Sequence, residues 1–500
     1  LARGDGAGGA GFVTRWAWAV VAAVTLAVWA PVLTYDWIYL WDDAALFVGN
    51  QMVRQWSWLW MWKTQYYGHW MPLMWASASA TYALFGFQAW AWHAVNVGLH
   101  TTTAVLLYCM ARRLGVSGPG AVFAALLFSI HPLRMESVAW ISERKDVLMG
   151  LFFVGAALLW LQGRRRWAFL AFVAACMSKA PAVILPVMLL ALEWSRQRGR
   201  SVWPLGTLKR LAPFFAVSLL VSVWAFRSLQ TIMVQLPWSS VPLGPRLLHV
   251  AYSEVFYVMQ TLWPARLSAL IEYTWMPSWD QPQYPLAVGA VALVAGLLLL
   301  TWRRWPALTA AAVAYTVAVL PQSGFFQNGP QLVANRYSYL AAIPLALLAG
   351  AGFTMASRRR PKASIALASA IVVALASVTL VNLPMWRDSD AMWHYAARHE
   401  PTCTQCQDMA SAAALRHGDL QGAIRHQEQA IRVSDTTMSP RWERHWNMAT
   451  LLIATGQPEQ ATQQLRVYLA AVPPGVQEVE PHRNHIRRAR AMLAHLDGQH

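Results

Sequence analysis

The sequence predicts an all-α protein: a polytopic helical membrane domain of about 11 spans, followed by a tail of short helical repeats. Three observations carry this. The 500-residue chain is 57% apolar and only 13% charged, with 29 Trp and a mean hydropathy of +0.33, unlike a soluble domain. Apolar runs recur, several approaching the roughly 20 residues that a spanning helix needs. After residue 384 the runs give way to Ala, Gln, His and Arg.

The runs are 16–34, 92–111, 119–130, 147–162, 167–194, 211–226, 247–263, 286–302, 305–321, 337–355 and 364–383. The first continues into Asp36 without a small-residue cleavage site, so it reads as a signal anchor. Run 167–194 is long enough for a hairpin of two short helices, interrupted near Lys179. These place a membrane domain at 12–384 and a tail at 385–500.

Charge sets the orientation. The net charge is +17, and 1–384 holds all the excess, with 28 basic and 11 acidic residues. The tail balances 12 Arg against 12 acids. A nucleic-acid partner is disfavoured, because its binder would gather charge on a soluble face. The basic clusters instead punctuate the gaps between runs: Arg112-Arg113, Arg164 to Arg166, Arg196 to Arg210, Arg303-Arg304 and Arg358 to Lys362. Short Arg-rich loops mark the cytoplasmic side. Arg3 and Arg15 then put the N-terminus inside. Loops 35–91, 131–146, 178–181, 227–285 and 322–336 fall outside, with 247–263 lying along the interface or re-entering. Nine of the 11 acids in 1–384 fall on that outer face, including Asp36, Glu254, Glu272 and Asp280; Asp5 and Glu193 face inward. The tail is expected outside as well, and the whole chain in a bacterial inner membrane with a periplasmic tail.

The tail carries a spaced pattern. Gly418, Ala423 and Ala430 are echoed by Gly456 and Ala461, 38 residues on, while Trp393, Ala396 and Pro401 form an earlier partial unit. Ala396 and Pro401 precede Ala430 and Asp435 by 34. A period near 34 with Gly and Ala at these offsets is the TPR helix-pair pattern. Such pairs form concave surfaces, so the tail is expected to recruit a protein partner; a generic helical hairpin is the plainer reading. Cys403-Thr-Gln-Cys406 could close into a disulfide in an oxidising compartment or, with His394 and His399, hold a metal.

The outer loops carry the chemistry. Asp42 and Asp43 stand side by side after the first span, either capping a helix or forming a site, and adjacent acids push at least one pKa up. Four Trp between Trp56 and Trp62 read as an interfacial segment. His69 is a candidate ligand contact or a structural histidine. The densest polar stretch runs from His131 through Arg134, Glu136, Glu143, Arg144 and Lys145 to Asp146. Its cations at a helix start suit an anion such as phosphate, while part of it reads as a self-neutralising ion-pair cluster. Lys179 and Arg336 add two cations on the same face. This inventory suits glycosyl transfer from a lipid phosphate: the leaving phosphate needs positive charge and no general acid. The attacking hydroxyl needs one carboxylate as base, and a single displacement inverts the anomeric carbon.

Trp41-Asp42-Asp43, Asn96-Val-Gly-Leu-His100, His131-Pro-Leu-Arg-Met-Glu-Ser-Val-Ala-Trp140, Glu143-Arg-Lys-Asp-Val-Leu148, Asn335-Arg-Tyr-Ser-Tyr-Leu340 and Trp386-Arg-Asp-Ser389 occur in this order. Together they resemble the bacterial relatives of the transmembrane and TPR repeat-containing O-mannosyltransferases, within the GT-C glycosyltransferase fold. The resemblance implies a polyprenyl-phosphate-sugar donor and a protein or glycan hydroxyl as acceptor. It places the catalytic acid at Asp42 with Asp43 in support. The residues then assign Arg144, Lys145, Lys179 and Arg336 to the donor phosphate, and His69, His131, Arg134, Glu136, Glu143, Asp146 and Tyr337 to support or substrate binding. Asn335 replaces an Asp usual in the family. A divalent cation, Mg or Mn, is compatible with paired acids, although no complete ligand set is visible. The competing functions are a membrane-anchored scaffold for envelope assembly and a lipid-linked glycan transporter; a transporter should show repeated halves, which are not found.

Overall fold

A computed structural model describes residues 16–197, 205–230, 241–273, 276–326, 329, 331–434, 442–473 and 482–497. Arg3, Asp5, Arg15, Arg198, Arg200 and Asp435 lie outside the described residues. The chain divides into two compact units, the second formed by 268–276, 330–333 and 389–500.

The first unit is helical. Its main helices are α1 (Ala17–Trp29), α2 (Pro72–Phe85), α3 (Ala89–Arg113), α4 (Gly118–Ser129), α5 (Arg144–Leu161), α6 (Arg165–Ser178), α7 (Leu185–Arg196), α8 (Leu205–Gln230), α9 (Leu243–Leu262), α10 (Gln283–Thr301), α11 (Pro306–Val319), α12 (Ser338–Ser357) and α13 (Pro361–Asn382). Among the described residues, six helical stretches are long and apolar enough to cross a membrane, counting the short turns that extend α1, α12 and α13. The pair Gly118–Ser129 and Pro132–Ala139, bent by 52°, makes a seventh if it is one broken span rather than a re-entrant loop. The other runs behind the expectation of about 11 spans form shorter or more polar helices. Helix α5 opens on Arg144, Lys145 and Asp146, α6 and α7 are separated at Lys179, and α11 has 14 residues. Apolar run length does not register where a helix breaks.

Local chemistry explains the breaks. Pro132 follows α4, and the His131 side chain accepts from Leu133 N at 3.2 Å, so the chain turns instead of continuing. Ser117 caps α4 by accepting from Gly120 N at 3.2 Å. Helices α4 and α12 pack closely at Gly120 and Gly350, where a Cβ on either would meet the other's carbonyl oxygen. The expected outer loop 35–91 is largely structured: it contains α2 and four shorter helical segments, and its core joins Trp37, Phe47, Trp75 and Trp92. Trp56, Trp58 and Trp62 project outward, while Trp60 packs on Trp75 at 5.2 Å.

The second unit contains six described helices: Ser389–His399, Thr404–Arg416, Leu420–Ser434, Trp442–Ala454, Pro458–Ala471 and His482–Asp497. The pair starting at Thr404 and Leu420 recurs at Trp442 and Pro458, each start 38 residues on. Gly418 and Gly456 occupy the same turn with φ of 75° and 71°. The inter-helix contacts repeat too: His426 Nδ1 meets Gln407 Oε1 at 2.8 Å, and His445 Nδ1 meets Gln464 Oε1 at 2.6 Å. A two-stranded antiparallel ribbon pairs Ile271–Glu272 with Gln331–Val333. It delivers the Glu272 carboxylate to the start of the Thr404 helix, where Thr404 N donates at 2.6 Å. Cys403 and Cys406 are joined as a disulfide, the first of the two arrangements open from sequence.

Candidate functional site

The stretch 131–146 folds as a chain of short turns, Pro132–Arg134, Met135–Ala139 and Ile141–Glu143, leading into α5, and every residue in it is buried. This compaction points Glu136, Glu143, Lys145 and Asp146 at one another and at two cations from distant sequence. Lys179, at the break between α6 and α7, pairs with Glu143 at 3.0 Å and with Asp146 at 2.6 Å. Arg336, in the turn before α12, pairs with Glu136, and its backbone amide donates to the same carboxylate at 2.9 Å. Its Nε lies 3.5 Å from Glu143, while Lys145 Nζ lies 3.2 Å from that carboxylate. Three cations are thus interleaved with three acids. Burial alone would raise the Glu143 carboxyl, yet Lys145, Lys179 and Arg336 hold it well below the usual carboxylate range. For Lys179, burial works against the charge and Asp146 and Glu143 overcome it, holding the ammonium above its ordinary value.

Asp42 and Asp43 are adjacent but differ in every physical respect. Asp43 is fully buried and closes a clamp: its Oδ2 accepts from Ile38 N at 2.9 Å, and its Oδ1 accepts from Ser142 N at 2.9 Å and from the Ser142 hydroxyl. Burial pushes its carboxyl up to about 7, against the pull of these donors. Asp42 is half-buried and has no hydrogen bond or ion pair among the described residues. Burial raises its pKa, Lys145 opposes that most strongly, Glu143 raises it again, and Arg336 and Lys179 pull it down. Asp42 therefore faces the charged cluster as a fourth, unpaired carboxylate.

His69 lies in the field of the same cluster. It is solvent-accessible, yet closely surrounded by protein and by the field of Lys145 and Lys179; burial and then these ammoniums hold its pKa well below the imidazole range. The ring therefore stays neutral near pH 7. It follows Tyr67, the one described non-glycine residue with positive φ, at 52°. Such a backbone costs about 1–3 kcal/mol and concentrates at functional sites.

Residues that the sequence reading left out of the site complete it. The Trp140 ring packs on Trp41 at 4.6 Å and on Trp386 at 6.0 Å. The Lys145 ammonium and Arg336 guanidinium lie over the Trp140 ring at 5.7 and 5.6 Å. Ser142 is the partner that orders Asp43. Trp140 ends one of the motifs above and Ser142 lies just before the next; the missing signal was their spatial proximity to the 41–43 segment. Tyr337 stands at the cluster's edge, its ring 4.8 Å from the Arg336 guanidinium.

Other expected site residues are placed behind the cluster. Arg144 is fully buried, and its fork is committed: Nε donates to Asn96 Oδ1 at 2.9 Å, Nη1 to Thr81 at 2.7 Å and Nη2 to the Trp92 carbonyl at 2.8 Å. It spends three of its five N–H groups tying α2, α3 and α5 together and, unlike Lys145, pairs with no acid of the cluster among the described residues. The cause is helical geometry, since Lys145 next to it points to a different side. His131 is spent on its turn and on the Thr261 carbonyl, 3.0 Å away. Arg134 is buried over the Phe128 and Tyr339 rings and donates to Ser338. The Asn96 and His100 motif is an internal tie as well: Asn96 holds Arg144, and His100 bridges Tyr339 Oη and Ser129 O, both at 2.8 Å. Asp146 also accepts from Ser137 at 3.1 Å. Among the described residues no group of three His, Cys, Asp or Glu side chains is gathered that could hold a metal ion. The acids Glu136, Glu143 and Asp146 are already matched by ammonium and guanidinium groups, so this donor set does not fit a resident divalent cation.

Part of the chain is related to protein O-mannosyl-transferases. Protein O-mannosyl-transferase TMTC2 of Homo sapiens is 29% identical over 154 residues, covering 29% of this chain and 18% of that protein. TMTC4 of Homo sapiens is 28% identical over 165 residues, 28% of this chain and 22% of that protein. TMTC1 of Homo sapiens reaches 41% over 76 residues, 15% of this chain and 9% of that protein. The chain thus spans about a fifth or less of these relatives' length. No family model matches the chain, and no solved structure matches it.

Proposed function

We propose that this chain is an inverting glycosyltransferase that moves a sugar from a polyprenyl-phosphate carrier to a hydroxyl of a protein or envelope glycan, on the outer face of a bacterial inner membrane. The observation that carries the reading is Asp42: of the four carboxylates Asp42, Glu136, Glu143 and Asp146, it alone has no ion pair or hydrogen bond among the described residues, and it lies in the field of Lys145, Arg336 and Lys179. Asp42 takes the proton of the acceptor hydroxyl as the new bond to the anomeric carbon forms. The bond between that carbon and the phosphate oxygen breaks with its electron pair, which the cations receive. Lys145 is the best placed cation, because one ion pair leaves an ammonium donors to spare. Lys179 and Arg336 shape the field from within their pairs, and Glu136, Glu143 and Asp146 hold them there. The half-buried Trp41 ring, backed by the buried Trp140, offers an apolar platform for a sugar face, with His69 and Tyr337 as further contacts. Asp43 supports Asp42 by clamping the loop that carries it.

The finer topology belongs to the same proposal: about 11 crossings when short helices are included, a cytoplasmic N-terminus and a tail on the side of the site. The tail's paired helices, with their 38-residue recurrence, support a TPR-like domain that recruits the acceptor or a partner protein. The test supplies purified protein in lipid with labelled polyprenyl-phosphate sugars and an envelope protein extract, comparing wild type with Asp42→Asn and Asp43→Asn. Loss of a base at Asp42 should slow transfer by roughly 10²–10⁴-fold. Equal transfer by wild type and Asp42→Asn, or none by wild type with any donor, overturns the reading.

A further inference from the structure

A second site lies at the far end of the first unit. The charged cluster sits at the starts of α5 and α12; at the opposite ends of α3, α7 and α12, beside the starts of α4 and α11, two cavities adjoin. Helix α12, with its 20 residues, puts about 30 Å between the two ends. The first cavity, of about 360 Å³, is polar and is lined by Arg112, Ser117, Thr354, Ser357 and Arg358. The second, of about 340 Å³, is an apolar groove walled by Leu114, Phe153, Leu189, Ala311 and Leu347. Val116 lines both, so the polar cup and the groove are immediate neighbours. Each volume falls in the roughly 300–1,000 Å³ range of ligand sites.

Charge decides what such a pair of cavities would take. Arg112 donates one N–H to Val116 O at 2.8 Å, and neither it nor Arg358 has a carboxylate partner among the described residues. The Ser117 and Thr354 hydroxyls, 3.0 Å apart, close the floor of the cup. No acid lines either cavity. A choline or ethanolamine ammonium would find no counter-ion there, whereas a phosphate diester would meet two guanidinium groups. The groove beside the cup excludes a free phosphate as the natural occupant, because its apolar walls would stay uncovered. The proposed glycosyl donor would carry its phosphate at the other end.

We propose that this double cavity binds an anionic glycerophospholipid from the leaflet opposite the charged cluster, with its phosphate between Arg112 and Arg358 and one acyl chain in the groove. The lipid would wedge α7 and α11 against α5 and α12, whose other ends carry Lys145 and Arg336.

The test uses the full chain, delipidated in detergent, with lipid retention read by native mass spectrometry and stability by thermal denaturation. The probes are phosphatidylglycerol, phosphatidylcholine, inorganic phosphate and undecaprenyl phosphate. Wild type should retain phosphatidylglycerol roughly tenfold or more over phosphatidylcholine, with a raised Tm that inorganic phosphate does not reproduce. Arg112→Gln with Arg358→Gln should abolish the preference. Ala311→Phe, which plugs the groove and leaves both arginines, should lower retention of phosphatidylglycerol. Equal retention of the two phospholipids by wild type, unchanged preference in the double variant, or displacement of phosphatidylglycerol by undecaprenyl phosphate overturns the proposal.

Discussion

Asp43 and Ser142, 99 residues apart, are joined twice: the Ser142 amide donates to Asp43 Oδ1 at 2.9 Å, and the Ser142 hydroxyl donates to the same oxygen. This clasp binds the loop after α1 to the turn that starts α5. It uses up Asp43 and leaves Asp42, one residue earlier, turned towards Lys145.

The two acids should therefore separate experimentally. Asp42→Asn should abolish most glycosyl transfer, by roughly 10²–10⁴-fold, with little change in Tm. Asp43→Ala should lower Tm, because it strands the buried Ile38 and Ser142 donors at about 1–3 kcal/mol for each unsatisfied group. Thermal denaturation and a transfer assay on both variants check this; an unchanged Tm in Asp43→Ala would contradict the clasp.

The pH profile of transfer should report Asp42. A base must be ionised, so the rate falls as pH drops through its pKa, which burial holds above the ordinary value of about 3.9. Lys145 pulls that pKa down and Glu143 pushes it up. Lys145→Met should move the acid limb to higher pH, and Glu143→Gln to lower pH. A limb that moves in neither variant would place the titrating group elsewhere.

Lys179→Met should destabilise the first unit. It leaves Glu143 and Asp146 facing each other without their shared ammonium, and breaking a buried pair costs about 3–5 kcal/mol. Linkage gives the sign for the Glu143 part. Its folded pKa is depressed, so its contribution is full above the unfolded value of about 4.3 and is lost as pH falls through the folded value. The variant's Tm deficit should thus be larger at pH 7 than at pH 3.

Gly150→Ala should disturb the site without touching it. A Cβ there would collide with the Tyr339 ring, whose hydroxyl is held by His100 at 2.8 Å. Helices α5 and α12 would be forced apart near the ends that carry Lys145 and Arg336. Overpacking of this kind costs about 1–3 kcal/mol. A lower Tm together with reduced transfer is the expected outcome, and a wild-type Tm would show that Tyr339 can move away freely.

How much of the site was legible in sequence varied with distance. Glu136, Glu143, Lys145 and Asp146 were conspicuous because they crowd into one short stretch between apolar runs. Lys179 stood out as a cation between two apolar half-helices. The role of Ser142 was not readable, since a serine gains meaning only from the carboxylate that reaches it across 99 residues. The direction of Arg144 was not readable, because sequence neighbours look equivalent until a helix separates their directions by about 100°.

Composition and hydropathy sufficed to determine that the chain is helical and membrane-embedded, that its character changes after residue 384, and that its polar chemistry gathers in a few loops. These are properties of short windows, and local energetics carry them. The tertiary structure alone decided which of two adjacent acids is clamped and which is free, and which cations meet which carboxylates. It also placed Arg112 and Arg358, without a carboxylate partner among the described residues, in a polar cavity that adjoins an apolar groove. Those outcomes depend on burial and pairing between distant segments, and no local pattern encodes them.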